Sequence, residues 1–136
     1  MSKTTFISME SPFSNPDHKL LKRNICYGLL AVKDAALNYN EVSYAPHLLH
    51  TQLVYKGNHY YVDDAICKSD KLGDFFGVGR ERILEMTNCV RKKADKIVFY
   101  TDFGMTNGMK FAEKFAIDND IFIEKRKLPK EMLKLL

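Results

Sequence analysis

A chain of 136 residues, 46% hydrophobic and 28% charged, matches a single domain, residues 1–136, with enough apolar side chains to bury a core. Its net charge of +4 is spread along the sequence, with dense basic runs only at Arg91-Lys92-Lys93 and Lys125-Arg126-Lys127, so nucleic acid is not an expected partner. No segment approaches the ~20 apolar residues of a membrane span, and Cys26, Cys67 and Cys89 are too scattered for a disulfide frame or zinc site, which predicts a cytoplasmic protein without metal or membrane partner.

Residues 4–9 read as a strand that is followed by a polar, proline-containing turn. Asn15 is the expected N-cap of a long helix, with Pro16 at the first helical position and Asp17 in the first turn. Leu20, Leu21, Ile25, Gly28, Leu29, Val32, Ala35 and Ala36 mark its inner face, and Asn38-Tyr39-Asn40 ends it. Residues 42–45 form a second strand closed by Pro46, which completes a βαβ unit.

Residues 47–55 are read as a short helix broken by Lys56-Gly57-Asn58. The stretch 59–79 has no clean period and reads as an excursion at the ligand edge, with Tyr55, Tyr60, Tyr61, Phe75 and Phe76 as a base-stacking lid or as core cover. Residues 80–93 return to helix, with Ile83, Leu84, Met86, Thr87 and Val90 inward. A strand at 96–100, a helix at about 107–118, a strand at 121–124 and a short terminal helix complete the chain. This alternation predicts an α/β fold: one three-layer, flavodoxin- or Rossmann-like domain with a mostly parallel sheet of four or five strands. The first strand is expected between the second and the third.

The apolar run 97–100 stops at Asp102 and opens through Gly104 and Gly108 into a helix. A strand–loop–helix corner of this kind puts Asp102, Gly104, Asn107 and Gly108 at the carboxyl edge of a parallel sheet, where open α/β sheets bind ligands and helix N–H groups favour anions. Ser11 and Ser14 either donate to a phosphate or simply form the turn. Asn24 has a helical position compatible with facing the same edge. His47 and His50 lie three apart but lack a third metal ligand, so His47 is read as pocket-lining. Gly77-Val78-Gly79-Arg80 is only a fragment of a phosphate loop, which leaves Arg80 as a candidate phosphate contact.

Taken in order, Ile7-Ser-Met-Glu-Ser-Pro-Phe-Ser14, the helix containing Asn24, Ala45-Pro-His-Leu-Leu49 and the stretch 94–109 resemble the nucleoside 2-deoxyribosyltransferase-like superfamily. The likeness is closest to a branch of small proteins common in bacteriophages and bacteria. The resemblance implies a flavodoxin-like sheet, a homodimer or larger homo-oligomer, no cofactor, and a nucleotide or nucleoside-like ligand. That ligand would lie between Ser11, Phe13, Ser14, Asn24, His47 and Arg80 on one side and Gly104, Asn107, Gly108 and Met109 on the other. It further implies cleavage or transfer at an N-glycosidic bond, in which a glutamate attacks the anomeric carbon and a second acid protonates the departing base.

The family's glutamate falls four residues after the corner glycine and four before a small helical residue. Counted from Gly108 and to Ala116, both spacings land on Ala112, and Glu113 comes next. One step along a helix turns a side chain by about 100°. Thr87 stands where the preceding helix should supply the acid, with Glu81 and Glu85 nearby. Two readings follow. Either the chain is a hydrolase or deoxyribosyltransferase that uses Glu113, Asp102 or Glu85, or it is a non-catalytic protein of viral type that sequesters a nucleotide signal.

Overall fold

Ile97, Val98, Phe99 and Tyr100 are all fully buried, which requires cover on both faces of the strand that carries them. The computed structural model describes residues 3–13, 15–49, 53–56, 59–62 and 80–136, with only the backbone described at 18, 47, 49, 53–56, 59–62, 80 and 83. Its main sheet joins β1 (Thr5–Glu10), β2 (Glu41–Tyr44), β5 (Lys96–Tyr100) and β6 (Ile123–Arg126) in the order β2-β1-β5-β6, every pair parallel. The first strand lies between its two expected neighbours. The protein is therefore an α/β domain of the three-layer Rossmann-like kind.

Alternation along the strands sorts the two faces. Ile7, Met9, Val98 and Tyr100 pack with Tyr27, Ala31 and Ala35 of α1 (His18–Tyr39). On the opposite face Ile97 and Phe99 pack with Met109, Ala112 and Ala116 of α4 (Asn107–Asp118). Glu10 pairs in register with Phe99 and so shares that face, where α3 (Arg80–Lys93) covers β1.

Several boundaries differ from the sequence reading for identifiable reasons. Asp17, not Asn15, caps α1, because its carboxylate accepts from the N–H groups of both Lys19 (2.8 Å) and Leu20 (3.4 Å). Asn15 instead accepts from the Asp17 N–H at 2.9 Å. The far end of α1 closes as expected, with Asn40 left-handed at φ 53° and donating to the Ala35 carbonyl. The buried stripe of α1 is rotated to include Asn24, Tyr27 and Asp34, whereas Leu20, Leu29 and Ala36 are exposed. Those polar groups go inward because each finds a hydrogen-bond partner there: the Phe13 carbonyl, Asp102 and the Tyr100 hydroxyl.

After α2 (Pro46–Leu49), residues 53–56 are strand and not helix: β3 (Leu53–Lys56) pairs antiparallel with β4 (His59–Val62). The intervening Gly57-Asn58 is a dipeptide that suits a hairpin, and local turn chemistry outweighs the weak helical spacing. The last strand is shifted to 123–126 because the Ile121 N–H still closes the end of α4 on the Ala116 carbonyl. A final turn, α5 (Lys130–Leu133), follows. The proposed aromatic lid falls on 55, 60, 61, 75 and 76, whose side chains lie outside the described residues.

Candidate functional site

With β1 flanked by β2 on one side and β5 on the other, connections leave the carboxyl edges of β1 and β5 in opposite directions. That divergence is the topological switch point at which open α/β sheets hold ligands. The loop after β1 (residues 11–17) and the corner after β5 (residues 101–106) flank it.

On the α1 side, the two loops are tied to one helix. Asn24 is buried and donates through Nδ2 to the Phe13 carbonyl at 3.0 Å. One turn along, Tyr27 donates its hydroxyl to Asp102 Oδ2 at 2.6 Å and accepts from the Asp102 N–H at 3.0 Å. Burial, with Asp102 alongside, pushes the Tyr27 phenol well above its ordinary value of 10, so the hydroxyl stays protonated and able to donate. Asp102 Oδ2 also accepts from the Leu128 N–H at 2.9 Å, joining the corner to the segment after β6. Asp102 is thus a strut between three segments. Phe103 meets Tyr27 edge-on, with ring centroids 4.8 Å apart, and the Arg23 guanidinium lies 3.9 Å from the Phe103 centroid.

Gly104 has φ +82°, a conformation that side chains strain to adopt, so the turn after Asp102 depends on glycine here. Thr106 caps α4 by accepting the Met109 N–H at 3.3 Å. Asn107 and Gly108 stay exposed, and their N–H groups have no hydrogen-bond partner among the described residues. Met109 is 1% exposed, so its side chain belongs to the core beneath α4 and not to a ligand wall.

The three carboxylates expected to act on a substrate share no partner. Ala112 is fully buried in the core at the nucleophile's register, and Glu113 is turned to Lys125 of the edge strand β6 at 2.7 Å. Glu85 lies on the solvent side of α3, paired with Arg82 at 2.9 Å. Of the other expected contacts, Ser11 is buried beside the edge and Phe13 half-buried. Ser14 and the side chains of His47 and Arg80 lie outside the described residues.

Sequence reasoning missed a buried ionic cluster on the α3 side. Glu10 is the last residue of β1, and its Oε1 accepts from both Nε (3.0 Å) and an Nη of Arg91, whose other Nη donates to Asn88 at 2.7 Å. Thr87, one turn before Arg91, is buried and hydrogen-bonded to the Tyr44 hydroxyl at the end of β2. Burial raises the Glu10 carboxyl above its ordinary 4.5, while Arg91 pulls it the other way. The available signal was an acid closing an apolar strand and an arginine on the helical stripe of Thr87, a pattern that does not pair them without the fold. Leu84 and Met86, expected inward, are exposed instead.

A second cluster braces the α1 face away from the crevice. Arg126 forks onto Glu41 with two 2.6 Å bonds, also meets Glu124, and lies 3.6 Å from the Tyr39 ring centroid. Lys96 bridges Glu41 (3.0 Å) and Glu124 (2.8 Å), and Tyr100 donates to Asp34 at 2.8 Å. A shallow cavity of about 530 Å³ opens nearby, beside Asp34, Asn38, Tyr39 and Pro129. Both oxygens of Asp34 are already engaged there, by Tyr100 and Asn38, so the switch point is the better-equipped site. Among the described residues no group of three metal-ligating side chains converges, and no helix is long and apolar enough to cross a membrane.

No family model matches this chain, and neither a curated protein nor a solved structure matches it. The fold defines it as a three-layer α/β protein in which the loops after β1 and β5 flank the topological switch point.

Proposed function

We propose that this chain binds a nucleotide or nucleoside-like small molecule over the carboxyl edge of the sheet, between the loop after β1 and the corner after β5. The observation that carries the reading is the strand order, which brings these two loops to the switch point with the strained Gly104 turn and the open N–H groups of Asn107 and Gly108 beside them. Binding is preferred to glycosidic cleavage because Asp102, Glu113 and Glu85 are each committed to protein partners and Ala112 offers no nucleophile. The chain acts as a homo-oligomer, most simply a dimer, a reading supported by the exposed Phe111, Ile117 and Phe122.

A second reading keeps N-glycosidic chemistry and moves the acid to Glu10, the buried carboxyl at the end of β1, whose Oε1 is held by Arg91 and whose proton affinity burial raises. Thermal-shift screening against nucleosides, deoxynucleosides and their monophosphates tests binding, and a ligand recovered intact by chromatography supports the first reading. Free base released by the wild type and lost in Glu10→Gln establishes the second. No shift with any member of the panel and no released base refutes both.

A further inference from the structure

Four arginine side chains are described, and three are neutralised by glutamates: Arg82 by Glu85, Arg91 by Glu10, and Arg126 by Glu41 and Glu124. Arg23 is the exception. It is half-buried, yet among the described residues no carboxylate lies within ion-pair distance of it.

Its guanidinium is nevertheless fixed in place. One face lies on Phe103, and Nε and one Nη donate to Asn24 Oδ1 at 3.3 and 3.0 Å. Phe103 belongs to the corner after β5, and Asn24 holds the loop after β1 through the Phe13 carbonyl. The charge is therefore held where both crevice loops meet. A guanidinium has five N–H donors, and among the described residues the Nη1 edge meets no acceptor, so it can form a fork. Oriented, and with no counter-charge among the described residues, such a group suits a phosphoryl oxygen pair far better than a neutral hydroxyl.

We propose that Arg23 is the anion-binding residue of the crevice and that the ligand is a phosphorylated nucleoside, not a free one. This rests on the nucleotide-binding reading above and deepens it by naming the ligand's charged part. Phe103, 37% exposed, is the stacking floor that keeps the guanidinium flat and oriented.

The test is isothermal titration of the full chain at low salt with adenosine, guanosine, cytidine, thymidine and their 5′-monophosphates, on wild type, Arg23→Gln and Arg23→Lys. A bound monophosphate is expected to lose about ten- to a hundredfold in affinity in R23Q, the span expected of one charge-assisted contact. R23K should fall between, because it keeps the charge without the fork. In both variants monophosphate affinity should fall by a larger factor than nucleoside affinity does, and monophosphate affinity in the wild type should fall as salt rises. Equal wild-type affinity for nucleosides and monophosphates overturns the assignment while leaving the binding reading standing. So does R23Q that binds monophosphates as wild type does. Absence of binding by every compound overturns both. If R23Q fails to show a cooperative thermal transition, R23K decides, and a loss of less than about threefold counts against the proposal.

Discussion

Replacing Arg91 with methionine isolates the Glu10 carboxylate inside the sheet–α3 interface, where the side chains of the pair are 7% and 8% exposed. Glu10 Oε1 loses both of its guanidinium donors, and a buried charge stripped of its partner typically costs about 3–5 kcal/mol. Against a total of about 5–15 kcal/mol for an ordinary domain, that is a large share of the stability. The penalty also has a defined pH dependence. With Arg91 gone, only the raising effect of burial acts on Glu10, so the folded state holds the proton more tightly than the unfolded chain. Stability of Arg91→Met should therefore fall as pH rises above the ordinary 4.5 and recover as pH drops towards it. Urea unfolding followed by far-ultraviolet circular dichroism at pH 5 and pH 8, settings chosen to bracket roughly the titration range, measures this. The double variant Glu10→Leu/Arg91→Met should recover at least half of the single-variant loss, since removing both charges leaves neither unpaired. A single variant within about 1 kcal/mol of wild type, or single losses that simply add in the double, would refute the coupling.

Three further outcomes follow from named contacts. Tyr27→Phe removes both hydroxyl bonds to Asp102 and should cost about 1–3 kcal/mol in urea unfolding while weakening any crevice ligand, because the strut of the β5 corner is lost; an unchanged midpoint and unchanged affinity would contradict the strut. Ala112→Glu places a carboxylate where the resemblance would put a nucleophile but buries it among Ile97, Phe99 and Met109, so it should unfold or strongly destabilise the chain instead of creating activity; a stable variant that releases base would reverse that argument. The Glu124 carboxyl is held below its ordinary 4.5, chiefly by Arg126 with Lys96 adding, so its contribution is complete above about that pH and drains away as pH falls below it. Glu124→Gln should thus cost stability at neutral pH and converge with wild type in acid, and a constant difference across a pH series of melts would count against it.

The α/β class, the glycine corner and the extents of α3 and α4 were legible in the sequence, because each rests on local pattern: a β-branched run, a helical spacing, a glycine after a strand. What lies inside was legible only in part: Leu21, Ile25, Gly28, Ala35 and Thr87 are buried as their spacing implies. Asn24, Tyr27, Asp34 and Arg91 turned inward against their polarity, and Leu20, Leu29, Leu84 and Met86 turned outward against theirs. A polar group is buried only if a partner waits for it, and the partners here stand far along the chain: Asp102 is 75 residues from Tyr27, and Glu10 is 81 from Arg91. The roles of the acids were decided in the same way. Asp102 became a strut and Glu113 the mate of Lys125. Tertiary packing brought Glu10 to Arg91 and Glu41 to Arg126, and among the described residues it brought no carboxylate to Arg23. Local spacing sets which way a helix begins and ends, whereas only the assembled sheet determines which charges meet.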